Sequence, residues 1–309
     1  MRKGASGPNA CNPCQRLNCA LHWTAEPAMN ALFDVAAPAK LNLFLHVTGR
    51  RPDGYHLLQS VFMLIDWCDT LHFELRADGR ILRHDLGTPL PEDDLIVRAA
   101  RLLQNATGTV LGVDISIDKR IPAQAGMGGG SSDAASTLLA LNRLWQLGLP
   151  LSRLETLGLQ LGADVPFFLR GRNAWVEGIG EQITPIELPA ARFCVVKPAA
   201  GVETAGIFRH PQLERATKPA TLAVFAADPY GFGHNDLQPV AELLCPEVTQ
   251  AIELLKTHGL QARMTGSGSA VFAHCTQGNA AIQVPDHWIV RECGNLEVHP
   301  LQGWATSDN

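Results

Sequence analysis

The chain has 309 residues, a formal net charge of −5, 46% hydrophobic residues and 18% charged residues. These proportions suit an ordinary globular protein, long enough for one domain or two lobes. No apolar run reaches the roughly 18 residues of a membrane span, and a negative balance offers no basic field for nucleic acid. Neither a membrane nor a nucleic acid is therefore expected as a partner. An anionic ligand has to be held by local dipoles and a few cations.

Residues 1–30 carry Arg2 and Lys3 but no continuous apolar stretch, so no secretory signal is expected. Gly, Pro, Asn and Cys dominate there, which predicts a disordered extension. Met29 stands just before the first strand-like run, which suggests that translation starts at that residue. Cys11 and Cys14 form a C-x-x-C pair. Only Cys19 and His22 follow it, at a spacing unlike that of a four-ligand zinc site, so no metal centre is expected. Cys68, Cys194, Cys245, Cys275 and Cys293 are scattered singly, as buried thiols in a reducing compartment are. The extension lacks the Arg- and Ser-rich character of a transit peptide, so the cytoplasm is the expected location. The sequence carries no signal of oligomeric state.

Residues 31–47 predict a strand, with Leu41, Leu43 and Leu45 alternating against Asn42, Phe44 and His46, and Lys40 embedded in it. A Pro-Asp-Gly turn at 52–54 leads to two predicted strands, 56–65 and 70–76, joined through 66–69. Residues 91–105 predict a helix with Glu92, Asp93 and Asp94 in its first turn, where the dipole favours acids. A strand over 113–121 and a helix over 134–145 flank a glycine-rich run. Ser152 and Glu155 spell a capping box for a helix to about Leu161. Gly162 then suits a left-handed helix end, and residues 163–166, with Val165 preceding Pro166, suit an extended or turn conformation. Short strands follow around Gly178 and Gly180, then a strand over 192–197. A helix start is predicted at 235–237, and a helix over 247–258 ends at Gly259. Residues 262–274 read strand, Thr-Gly-Ser-Gly-Ser, strand. There is no strict βαβ rhythm. The class predicted is α+β, with one lobe over 31–185 and a second over 186–309.

The run Pro-Ala-Gln-Ala-Gly-Met-Gly-Gly-Gly-Ser-Ser-Asp, 122–133, is the most informative stretch. Four glycines let backbone N–H groups approach a ligand closely. Successive amides in such a loop form a concave anion site, and the following helix adds its positive end. A polyphosphate fits. The spacing is not that of a Walker A loop. No acid ends a second strand about 20 residues on, as a dinucleotide fold would need, which disfavours an oxidoreductase.

Asp164 stands at a turn between apolar neighbours, where a carboxylate can take a proton from a hydroxyl or simply bond its own backbone. Lys40 sits within an apolar strand, where an ammonium is costly unless paired or used. It can pair with Asp164 and stabilise a developing alkoxide, or snorkel from a strand edge. The motif 265–269 can admit a substrate to its N–H groups or be a hairpin turn. Tyr55 and His56 can stack on and hydrogen-bond a base, or be two loop residues.

These pieces, in this order, resemble the GHMP kinase superfamily. The carriers are Pro-Ala-Lys-Leu-Asn-Leu at 38–43, the glycine run, Gly-Ala-Asp-Val-Pro at 162–166 and Thr-Gly-Ser-Gly at 265–268. Arg-Arg-Pro-Asp-Gly-Tyr-His at 50–56 and Ile-Asp-Lys-Arg-Ile-Pro at 117–122 resemble the branch whose acceptor is a cytidine diphosphate-linked methylerythritol, in non-mevalonate isoprenoid synthesis. The resemblance covers roughly 37–273.

It implies a two-lobed fold with the active site in the cleft between lobes, ATP as cosubstrate and Mg2+ accompanying it. It implies Asp164 as catalytic base and Lys40 as its charged partner. ATP phosphates would be bound by Pro122, Ala123, Gln124, Ala125, Gly126, Met127, Gly128, Gly129, Gly130, Ser131 and Ser132. The substrate side would hold Asn42, Tyr55, His56, Lys119, Thr204, Gly266 and Ser267, with Tyr55 and His56 on the cytosine. Three positions depart from the family pattern: Gln124 where glycine or alanine is common, Asp94 where asparagine is common, and the segment 201–207 around Thr204. Two alternatives stand beside this reading. One is a homoserine- or mevalonate-type kinase of the same superfamily, and the other is a non-catalytic nucleotide-binding regulator.

Overall fold

A computed structural model describes residues 29–275 and 282–307. The expectations of disorder, of an upstream start and of an inert Cys11–Cys14 pair fall on residues 1–28, outside the described residues. In chain order the first part comprises β1 (Ala31–Arg50), β2 (His56–Arg76), β3 (Ile81–Asp85), α1 (Leu95–Thr107), β4 (Gly112–Asp118) and α2 (Gly129–Leu144), then α3 (Leu151–Leu161), α4 (Val165–Arg170), β5 (Ala174–Gly178) and β6 (Gln182–Pro185). The second part comprises β7 (Arg192–Lys197), α5 (Thr204–Arg209), α6 (Leu222–Ala227), α7 (Gln238–Leu244), α8 (Pro246–Thr257), β8 (Ala262–Met264), β9 (Val271–Cys275) and β10 (Ile289–Gly294). Helices and largely antiparallel sheets give the α+β class expected.

β2 is the spine of the first sheet. It pairs with β1 along its length, with β5 near its start and with β4 near its end. The second sheet runs β10-β7-β9-β8. Three apolar layers hold these parts together. Helices α1 to α4 pack on one face of the first sheet through residues such as Leu64, Phe73, Leu138 and Phe167. The other face, with Leu41, Met63 and Ile65, meets Phe193 and Phe272 of the second sheet. Val196 and Val271 of that sheet join Val248 and Leu255 of α8 in the third layer. The C-terminal stretch returns to the first layer, where Leu301 is buried and Val298 bridges Arg172.

Several local expectations are corrected. β2 is one strand through 66–69, because Asp69 is wholly buried and accepts from the N–H groups of Arg120 (2.6 Å) and Ile121 (2.7 Å). A bulge after Asn42 resets the alternation of β1, so Phe44 joins the core instead of a polar face. The helix expected over 91–105 begins only at Leu95. Asp94 is its cap, accepting from Val97 N at 3.0 Å, and it also pairs with Arg83 at 3.0 Å. The helix expected from 134 starts at Gly129, so the last glycines form its first turn. α3 starts at Leu151 behind Pro150, so the chain enters the helix just ahead of Ser152. Gly162 is extended (φ 171°), not left-handed. Val165 opens a helix, since proline one place later is tolerated in the first turn.

Candidate active site

The site is built on the polar face of β1. Period-two alternation sends Leu41 and Leu43 into the layer between the sheets and leaves Lys40 and Asn42 on the opposite face. Both are almost wholly buried there. The ammonium of Lys40 donates to Asn42 Oδ1, lies 4.6 Å from the centre of the Phe62 ring and stands 3.7 Å from Asp164 Oδ2. Asn42 is itself held, because its N–H donates to Thr265 Oγ1 at 2.8 Å and its amide to Ser60 Oγ at 2.9 Å. Burial pushes Lys40 below the ordinary ammonium range, and the Asp164 carboxylate opposes that shift. Asp164 precedes α4 and remains about one-third exposed, so its carboxylate is reachable by a ligand.

The glycine run lies against β1, with Lys40 N donating to Met127 O at 2.9 Å. Gly128 has φ 70° and turns the chain into α2. The first-turn N–H groups of α2 have no intrahelical acceptor and carry the positive end of the helix dipole. Lys119 lies beneath them: a Cβ on Gly129 would fall 3.1 Å from its ammonium. That ammonium donates to Asp69 and, at 2.6 Å, to Asp133. Burial and the Asp69 charge push the Asp133 carboxyl up, while its two carboxylate partners hold Lys119 up. Sequence reasoning missed this cluster, since Asp69 read as part of a turn. Its signal is an acid inside an otherwise apolar strand.

The second glycine motif interlocks with the first. A Cβ on Gly126 would fall 2.2 Å from Thr265 O, and one on Gly266 would fall 2.6 Å from Gly126 O. Only glycine permits that approach. Ser269 N and Ala270 N donate to Gln124 O (3.1 Å) and Ala125 O (3.2 Å). Asn235, close to the predicted cap position before α7, holds the motif by donating to Met264 O and Gly266 O, each at 2.8 Å. Thr204 Oγ1, opening α5, lies 2.6 Å from Ser267 Oγ. Gln124 takes φ 50°, the left-handed region that favours glycine.

A cavity of about 760 Å³ has Lys40, Asn42, Lys119, Asp164, Thr204, Gly266 and Ser267 in its wall, together with the glycine run from Pro122 to Ser131. Its wall thus draws on residues from both sheets' parts of the chain. Ser132 is the exception among the expected phosphate-binding residues: it is wholly buried in α2, and its hydroxyl has no partner. Tyr55 and His56 border a second cavity of about 630 Å³. The two cavities share Leu58, Ala205 and Phe208. Tyr55 is exposed, whereas His56 stacks on Phe208 with ring centres 5.0 Å apart. Phe208 and Arg215, also at this cavity, were not singled out from sequence, because a lone aromatic and a lone arginine carry no spacing signal. Together the residues offer a carboxylate beside a buried cation, an anion cradle, and a separate aromatic-lined recess.

A family model described as GHMP kinases N terminal domain matches residues 94–172, and one described as GHMP kinases C terminal matches residues 223–291. A 4-diphosphocytidyl-2-C-methyl-D-erythritol kinase of Albidiferax ferrireducens is 65% identical over 280 residues, covering 91% of this chain and 98% of that protein. One of Paracidovorax citrulli is 65% identical over 285 residues, covering 91% of this chain and all of its own. A crystal structure of 4-(cytidine 5'-diphospho)-2C-methyl-D-erythritol kinase aligns with TM-score 0.69 and 34% identity, over 84% of this chain and 98% of that one. A homoserine kinase of Cytophaga hutchinsonii shares the fold alone, at TM-score 0.64 and 15% identity. With a kinase family matched in both halves and near-full-length relatives this similar, the chain belongs to the GHMP kinases, ATP-dependent phosphotransferases, within their 4-diphosphocytidyl-2-C-methyl-D-erythritol kinase branch.

Proposed function

We propose that the chain transfers the γ-phosphoryl group of ATP to the 2-hydroxyl of 4-diphosphocytidyl-2-C-methyl-D-erythritol, in non-mevalonate isoprenoid precursor synthesis. One observation carries the reading: the Lys40–Asp164 pair shares a cavity with the glycine run, and that cavity shares the wall residues Leu58, Ala205 and Phe208 with the recess of Tyr55 and His56. A nucleotide-linked alcohol needs two such compartments, one for the reacting hydroxyl and one for the base.

The glycine run and the N-terminus of α2 hold the ATP phosphates, while Lys119, its charge balanced by Asp69 and Asp133, underlies that first turn on the substrate side. Ser132 supports this loop from within α2 and does not itself reach the cavity. Asp164 accepts the hydroxyl proton as the oxygen bonds to the γ-phosphorus and the bond to the β-phosphate oxygen breaks, releasing ADP. Lys40 neutralises charge on Asp164 and on the attacking oxygen. Asn42 aims the ammonium. Thr204, Gly266 and Ser267 border the path between the compartments, and Tyr55 and His56 meet the cytosine. Mg2+ is expected with ATP, and the hard oxygens of Ser131 and Asp164 at the cavity wall would be the ones to hold it. When bound, it neutralises phosphate charge. The lobes are assigned as 31–185 and 186–309, with the site in the cleft between them. No described helix is long and apolar enough to cross a membrane, and the cytoplasm is the proposed location.

The test is an acceptor panel. With ATP and Mg2+, the cytidine-linked methylerythritol should yield ADP and a monophosphorylated product, while homoserine and mevalonate should not. Phosphorylation of either small acid in preference to the nucleotide overturns the reading. ATP binding without transfer to any of the three points instead to a regulator.

A further inference from the structure

Arg215 and His56 meet at the second cavity. Nε of Arg215 donates to Nε2 of His56 at 3.1 Å. The same guanidinium donates to the carbonyls of Leu213 (2.9 Å), Phe208 (3.1 Å) and His210 (2.8 Å). These bonds fix its plane, and the Phe208 ring lies over the imidazole at 31°. The arginine is therefore braced by the segment that also supplies the stacking ring.

A guanidinium carries only donors and keeps its proton. A ring nitrogen that accepts from it bears no proton. Burial first, then the charges of Arg215 and Arg50, hold His56 below the ordinary histidine range, so the ring is neutral near neutral pH. Its one proton must then sit on Nδ1, which becomes a donor. Among pyrimidines, cytosine presents a bare N3 that accepts, whereas the N3 of uracil carries a hydrogen and opposes such a donor.

We propose that Arg215 is a positioning residue that locks His56 in the Nδ1–H tautomer and thereby selects a cytosine-type base over a uracil-type base. This rests on the reading above only in placing a nucleobase against His56. The lock itself is a property of the free protein. Arg50, the other cation near the ring among the described residues, lines the cavity and adds charge, but its Nε donates to Gly54 O at 3.1 Å.

The experiment combines tautomer and selectivity. Long-range ¹H–¹⁵N spectra of protein labelled in histidine, with His56→Gln to assign the signal, should show His56 as Nδ1–H in the wild type. Calorimetry should show CMP bound in preference to UMP. In Arg215→Met the signal should move toward mixed tautomers. The kcat/KM ratio of cytidine- to uridine-linked acceptor should fall about ten-fold, mainly through KM, as expected for one lost polar discrimination. Arg215→Lys, which still only donates, should keep most of the ratio. A wild-type Nε2–H signal overturns the proposal, and so does an unchanged base ratio in Arg215→Met. If the Met variant fails to fold, the wild-type tautomer and the CMP-to-UMP ratio of the Lys variant decide. A wild type that phosphorylates no cytidine-linked acceptor, yet shows Nδ1–H and prefers CMP, supports the lock and contradicts the proposed acceptor.

Discussion

Lys40 Nζ stands 3.7 Å from Asp164 Oδ2, although 124 positions separate the two residues in the chain (164 − 40). The strand delivers the cation and the short helix α4 delivers the acid. The pairing carries a pH consequence. Because burial lowers Lys40, turnover should decline on the alkaline side with an apparent pKa below the usual 10.4 or so of lysine. Lys40→Arg should abolish that limb, since guanidinium stays charged, and Lys40→Met should depress kcat more than it raises KM. A pH–rate series on the three proteins checks this. An effect of Lys40→Met confined to KM would count against charge stabilisation.

The interlocked glycines give a second prediction. Gly126→Ala places a methyl 2.2 Å from the carbonyl oxygen of Thr265 at φ 72°, so backbone must move. The cost should be about 2–5 kcal/mol, summing left-handed strain and overpacking. Thermal or urea unfolding measures it. Gly108→Ala, also left-handed (φ 69°) but with open space around it, should lose only the strain part, about 1 kcal/mol.

The two departures from the family pattern near the site touch each other. A Cβ on Gly201 would fall 2.8 Å from the Cβ of Gln124. Gly201→Ala should therefore destabilise by roughly 1–3 kcal/mol. Gln124→Gly should recover part of that loss in the double variant, a non-additivity that a double-mutant cycle reads directly. Strictly additive effects would deny the contact.

His299 supplies a stability test. Its Nδ1 accepts from Leu301 N at 3.0 Å, its Nε2 is buried without a partner, and burial lowers its pKa to about 4. The folded value lies below the unfolded one, near 6.5, so the folded protein resists protonation. Stability is full above about pH 6.5 and falls as pH drops toward 4, by about 2 kcal/mol at about pH 5. His46 lies below the ordinary range for the same first reason, burial, reinforced by the His234 charge, and adds in the same direction. His299→Asn keeps an acceptor for Leu301 N and removes the titration. Its melting temperature should depend less on pH than that of the wild type.

Much of this was legible in residue order. The motifs around Lys40, the glycine run, Asp164 and Gly266 could be named in sequence because each is a local spelling with a local chemical use. The α+β class followed from helices and strands without a βαβ rhythm. Other features were hidden for physical reasons. The buried Asp69 satisfies two distant amides, so its strand continues where local polarity signals a break. The bulge at Asn42–Leu45 reverses a facing that strict alternation predicts. Ser132 looks like its neighbour Ser131, and only the helix pitch turns one inward and leaves the other at the cavity. Arg215 acquires meaning solely through the ring it meets across 159 positions.

The role of Asp164 is tested most directly by steady-state kinetics of Asp164→Asn with ATP, Mg2+ and the cytidine-linked acceptor. The amide keeps the shape but cannot take the proton. Turnover should drop by roughly 10²- to 10⁴-fold while ATP affinity holds. Wild-type turnover in that variant would show that the proton leaves by another route.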